Sequence, residues 1–129
     1  MKPIYFFPAI AWFIISIILL TLPGNDLPHN SLFDIPNFDK LVHFGMFFLL
    51  TTLFSFPFSK LSTKMSTIMS FFYKTAFFVI LYGIIMEYVQ KYFTFERTFD
   101  MMDILFDTIG SIAGLVAIRQ YTLQKNRPQ

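Results

Sequence analysis

Hydrophobic residues fall in four long runs, and the short stretches between them hold most of the charge. The first run, residues 4–22, has no charged residue. At about 1.5 Å per residue, a helix of that length spans about 28 Å, close to the hydrocarbon thickness of a bilayer. Pro8 sits in its first turns, where a helix tolerates proline best. A cleaved signal peptide is the weaker reading, because the run is too long and Thr21-Leu22-Pro23-Gly24 is a poor cleavage site. Pro23 and Gly24 stop the helix, and Pro28 and Pro36 keep the following stretch irregular. The second run covers 41–58 and is broken only by His43. The third covers 71–91, with Lys74 near its start and Glu87 near its end. The fourth, 103–120, contains Asp107. Between the second and third runs, Leu61, Met65, Ile68, Met69 and Phe72 recur at helical spacing, with Lys60 and Lys64 off that stripe. Either the third helix starts early, or a short interfacial helix lies there against anionic lipid.

Composition narrows the class. Hydrophobic residues are 55% of the 129 and charged residues 14%, against about 25% charge in a soluble domain. A small soluble domain needs a polar surface that this chain cannot supply. A disordered chain and a nucleic-acid binder are excluded too, since the second would need a clustered basic face. There is no cysteine, so disulfide, thiolate and zinc-knuckle chemistry are out. The expectation is one all-α domain over 1–129, a polytopic membrane bundle of four transmembrane helices with membrane lipids around it.

Orientation follows from lysine and arginine near the helix ends. Lys2 precedes the first helix, the second loop holds Lys60, Lys64 and Lys74, and the tail holds Arg119, Lys125 and Arg127. The first loop is acidic, with Asp26, Asp34 and Asp39 against Lys40, and the third is mixed, with Lys91, Glu96, Arg97 and Asp100. Both termini are therefore expected in the cytoplasm, with the first and third loops outside.

The ionisable residues then fall at one depth. Asp39 and His43 share a face of the second helix, with Lys40 beside them. Gly83, Glu87 and Gln90 form one stripe of the third. Asp103, Asp107, Gly110 and Gly114 form one stripe of the fourth. A charge at mid-helix costs about 2.5–3.5 kcal/mol on insertion scales. Three helices placing such groups at one level point to a shared cluster, where each group finds a partner. The glycines permit close helix approach, and Gly110-Ser111-Ile112-Ala113-Gly114 is a small-residue packing pattern. Lys60, Lys74 and Lys91 read as anchors that reach the interface. Tyr82, Tyr88 and Tyr92 read as packing or interfacial aromatics.

Three segments carry a family resemblance. They are Asp39-Lys40-Leu41-Val42-His43-Phe44-Gly45, Tyr82-Gly83-Ile84-Ile85-Met86-Glu87-Tyr88-Val89-Gln90, and Arg97-Thr98-Phe99-Asp100-Met101-Met102-Asp103 continuing to Asp107 and Gly110. Their order and spacing resemble the VanZ-like family of small bacterial membrane proteins. The resemblance implies the bacterial cytoplasmic membrane, cell-envelope metabolism, and a link to low-level resistance to teicoplanin-type glycopeptides. It also implies asparagine at the position of Asp107, so this chain adds a carboxyl group there.

Four functions remain open. The first is a binding protein at the outer face, holding a lipid-linked cell-wall intermediate or a glycopeptide. In it Lys40 and Arg97 would meet phosphate or carboxylate, and Asp39, Gln90, Asp100, Asp103 and Asp107 would meet amides or hydroxyls. The second is a membrane-embedded acid/base enzyme with His43, Glu87 and Asp103 as catalytic groups, Asp39 orienting His43, and Arg97 or Lys40 stabilising developing charge. No metal-binding spacing such as HExxH is present, and neither metal nor cofactor is expected. The third is a small transporter, disfavoured because the lower halves of the helices offer no matching polar residues. The fourth is a structural role, the polar set fixing helix register and the outer loops.

Overall fold

The computed structural model describes residues 2–22, 37–95 and 97–127 of the chain. They form α1 (Phe7–Thr21), α2 (Phe38–Ser55), α3 (Met65–Phe93) and α4 (Met101–Lys125). A 3-10 turn, Pro3–Phe6, leads into α1, and another, Phe56–Lys60, extends α2. No strand occurs among the described residues. With these extensions counted, all four helices are long and apolar enough to cross a membrane. The chain is thus an all-α, multi-pass membrane protein. The predicted stop at Pro23 and Gly24, the breakers Pro28 and Pro36, and Asp26, Asp34 and Glu96 lie outside the described residues.

Local chemistry sets the helix limits. Pro8 sits at the first turn of α1 as expected. Pro57 has no N–H and crowds the carbonyl four residues back, so α-helical bonding in α2 ends at Ser55 and the chain tightens to 3-10. Asn37, just before α2, takes the left-handed conformation with φ 65°, which asparagine tolerates better than most residues. Asp100 caps α4: its side chain accepts from the Met102 N–H at 2.8 Å. Helix α3 begins at Met65, not 71, and is continuous, so Met65, Ile68, Met69 and Phe72 belong to it and not to a separate interfacial helix. The reason is packing. Ile68 and Phe72 bury against Ile118, with Phe56, Phe58, Leu61, Met69 and Leu115 around them. The same contact carries α4 past residue 120 to Lys125.

Consecutive helices run antiparallel. At one end, Phe6 meets Phe58 edge-on, Phe58 stacks on Phe71 at 4.6 Å, and Phe56 approaches Tyr121. This aromatic end holds the start of α1, the end of α2, the start of α3 and the end of α4. The polar end holds the rest, with Leu20, Lys40, Gln90 and Asp103 close together. The apolar core lies between, built from Leu20, Met46, Phe47, Leu50, Val79 and Met86.

Helices α2 and α4 form the tightest pair. A Cβ on Gly110 would collide with the Phe44 carbonyl oxygen, and one on Gly114 would lie 2.6 Å from that of Phe48. On α3, a Cβ on Gly83 would meet Phe47 Cε1 at 2.8 Å and Asp107 Oδ2 at 3.0 Å. Thr51, Ser55 and Ser111 are fully buried and their hydroxyls make no hydrogen bond. They correct the expectation that the half away from the polar layer lacks polar side chains: among the described residues it buries no ionisable one, but small hydroxyls are used there. Small side chains let two backbones approach where lipid provides no hydrophobic drive. Helix α1 is the least buried of the four. Trp12 Nε1 ties it to the Met46 carbonyl at 3.1 Å, and the hydroxyls of Ser16 and Tyr82 meet at 2.9 Å.

Gly110→Ala is expected to destabilise the bundle by about 1–3 kcal/mol, because the added methyl must push α2 and α4 apart. Gly45→Ala has nothing within 4 Å of the new Cβ and is expected to be neutral or slightly stabilising. Thermal unfolding of the purified proteins in one detergent measures both.

Candidate functional site

The site grows from the first turn of α2 and the first two turns of α4. Lys40 Nζ lies 2.7 Å from Asp100 Oδ2, 2.9 Å from Asp103 Oδ1 and 3.1 Å from Asp39 Oδ2. One ammonium thus serves three carboxylates from two helices. An ammonium has three donors, and all three are committed. Asp103 is well buried, whereas the Asp39 and Asp100 side chains are 61% and 40% exposed. The buried pair carries most of the energetic weight, since exposed pairs contribute little.

One turn deeper, His43 Nδ1 lies 2.8 Å from Asp107 Oδ1. An ionised Asp107 can only accept, so Nδ1 carries the hydrogen of that bond. The other ring nitrogen, Nε2, faces Asp103 Oδ2 at 3.6 Å. The imidazole therefore stands between two carboxyl groups of α4, and all three side chains are buried. Glu87 enters from α3, also buried, and its Oε1 accepts from the Asp100 N–H at 2.6 Å. Asp100 is consequently a hub, taking up Glu87 through its backbone and Lys40 and Met102 through its carboxylate.

The expected convergence of His43, Glu87 and Asp103 with Lys40, Asp39, Asp100 and Asp107 appears as one connected network. Four details differ from the sequence reading. Asp39 does not orient His43; it turns outward to Lys40, and Asp107 takes that place. Lys40 is not open to a phosphate, because three carboxylates surround it. Gln90 is buried, its Nε2 donating to the Leu20 carbonyl at 2.9 Å and not to the carboxylate cluster. Arg97 is half-buried, with Nε 3.3 Å from the Leu22 carbonyl, and stands outside the carboxylate cluster. Gln90 and Arg97 thereby cap the last carbonyls of α1, which the end of a helix leaves unpaired. The capping role of Asp100 had a signal in the sequence: an acid just ahead of an apolar run, with a second acid three residues on.

Five carboxyl groups thus share one ammonium and one imidazole, so the cluster is acid-rich. Among the described residues, no set of three or more His, Asp or Glu side chains is arranged to hold a metal ion. Where such an ion would neutralise the acids, Lys40 does so. The Lys40 ammonium, together with the Met102 N–H, holds the Asp100 carboxyl below its ordinary value.

Lys40→Met should cost about 3 kcal/mol or more of stability, because it leaves buried Asp103 without a counter-charge; chemical unfolding in detergent measures it. Asp100 also predicts a pH dependence. Its folded pKa lies below the ordinary 3.8, so its contribution is complete above that value and is lost as pH falls through the folded pKa. The acid-side fall in melting temperature below pH 4 should therefore be shallower in Asp100→Asn than in the parent.

Comparison with known proteins gives a family for this geometry. No curated protein and no solved structure matches the chain. The family described as VanZ/LLP1 matches residues 4–123, a range that takes in α1, α2, α3, all but the last two residues of α4, and every residue of the cluster. The chain belongs to the VanZ/LLP1 family.

Proposed function

We propose that this protein acts in the bacterial cell envelope, in the cytoplasmic membrane, by binding the polar headgroup of a lipid-linked cell-wall intermediate or a glycopeptide at the outer face. The observation that carries the reading is the surplus of carboxyl groups over cations at the polar end. Such a site favours groups that donate hydrogen bonds, the hydroxyls, amides and amines of sugars and peptides. Asp39 and Asp100 turn partly exposed carboxylates toward such a ligand. Arg97, outside the carboxylate cluster, supplies the donors for a phosphate. The aromatic end carries Lys60, Lys64, Arg119 and Lys125, which by the positive-inside rule puts it in the cytoplasm and the polar end outside.

A second reading, an acid/base enzyme acting on such a headgroup, rests on His43 held between Asp107 and Asp103. That arrangement fixes the orientation of the ring. Against it, both ring nitrogens already face carboxyl groups and the side chain is buried.

The experiment is a titration of the purified full chain with a teicoplanin-type glycopeptide and, separately, with a lipid-linked cell-wall disaccharide-peptide. Asp39→Asn should weaken one of these about tenfold, the loss of a charge-assisted hydrogen bond, with an unchanged melting temperature. Arg97→Ala should weaken only the phosphate-bearing ligand. Unchanged affinity for both ligands in both variants would leave the cluster a structural device. Because the parent lacks cysteine, Phe95→Cys and Lys125→Cys report orientation cleanly. An impermeant maleimide on whole cells should reach the first only. A changed lipid or muropeptide profile in His43→Ala, with binding intact, would favour the enzyme.

A further inference from the structure

Away from the polar cluster, an apolar cavity of about 540 Å³ opens between α1, α2 and α3. That size lies within the range of small-molecule and lipid-chain sites. Phe13 of α1, Phe54 of α2, Phe58 beyond it and Phe71, Phe78 and Val79 of α3 line it. Among the described residues that line it, Lys74 alone is charged.

The lining gives the cavity a direction. One end is lined by Tyr82, whose hydroxyl meets that of Ser16 of α1 at 2.9 Å and whose ring lies against Phe13 with centres 5.0 Å apart. Its other end reaches the rings of Phe6, Phe58 and Phe71, at the aromatic end of the bundle. Lys74 lies eight residues before Tyr82, about 12 Å along the helix axis. Lys74 and Lys91 are separated by about 26 Å on the same helix, nearly the hydrocarbon thickness, which puts each near an opposite boundary. The cavity therefore runs from one headgroup boundary toward mid-membrane. Its walls are largely hydrocarbon and aromatic, with the Lys74 side chain toward the end near the boundary.

Lys74 is free to pair with an outside group. It is exposed and lies 6.0 Å from the centre of the Phe71 ring. No carboxylate among the described residues is within ion-pair distance of it. Lys60, nearby in sequence at the same end, lies over the Phe56 ring at 4.8 Å. This end has cations without acids, complementary to a phosphate-headed lipid.

We propose that this cavity is a lipid site, holding one hydrocarbon chain of an anionic phospholipid whose phosphate pairs with Lys74. It is separate from the carboxylate cluster and does not depend on the headgroup reading. The lipid would fill the space that α1 leaves open against α3 and so join the two helices.

Native mass spectrometry of the full chain, released from detergent with dioleoyl phosphatidylglycerol or dioleoyl phosphatidylcholine, tests it. The parent should retain one phosphatidylglycerol, with a preference over phosphatidylcholine of about fivefold, the factor expected for one lysine at a membrane surface. Thr75→Trp, whose side chain would fill the cavity, should lose retention of both lipids while its helical circular dichroism stays that of the parent. Lys74→Gln should keep retention but lose the preference. Lys91→Gln, at the opposite boundary, should behave as the parent. Parent-like retention in a folded Thr75→Trp would overturn the proposal. So would an unchanged preference in Lys74→Gln, or an equal loss of preference in Lys91→Gln. Should Thr75→Trp not fold, the two lysine variants decide the question alone.

Discussion

The bundle is organised by the need to neutralise the Lys40 ammonium and the Asp103 carboxylate where water is scarce. Neither can be left alone beside hydrocarbon, and each lies on a different helix. Pairing them sets the register of α2 against α4. The glycines at 110 and 114 then let the two backbones close below that pair. Close packing aligns His43 with Asp107 one turn deeper, so the second polar contact depends on the first. Glu87 draws α3 in through the Asp100 backbone and not through another charge. Three helices are thereby fixed at one end by a few connected polar contacts, and the rest of their length needs only shape.

Much of this was legible in the amino-acid order. The stripe Asp103, Asp107, Gly110 and Gly114 could only be one face of a helix, and all four residues are buried together. Glu87 and Gln90 were on a shared stripe, and both are buried. What spacing could not give was the cross-helix partner. Asp39 and His43 do share a face, but Asp39 sits at the helix start where Lys40 and solvent reach it. His43 lies a turn deeper, against α4. Spacing along one helix orders side chains by direction, whereas choice of partner depends on depth and on the neighbouring helix.

The packing of α1 was the least legible part. Its sequence is apolar on nearly every side, so no stripe marks the face that packs. The carbonyls at its end are invisible in any pattern of side chains, yet Gln90 Nε2 and Arg97 Nε reach them. Both residues thus act as helix caps, a role that their spacing did not reveal. The cavity beside α1 was equally hidden, because it depends on how far the helix stands from α3.

The unequal distribution of charge among the helices bears on how the chain enters the bilayer. The first segment can partition alone, since it carries no charge and has the highest mean hydropathy of the four. The second cannot do so as easily: by itself it brings an aspartate, a lysine and a histidine to the lipid boundary. The fourth by itself brings two carboxyl groups. Side by side, Lys40 of the second meets Asp103 of the fourth and His43 meets Asp107, so each helix lowers the cost of transferring the other into lipid. The third segment is synthesised between them, so that saving comes only once the fourth has emerged.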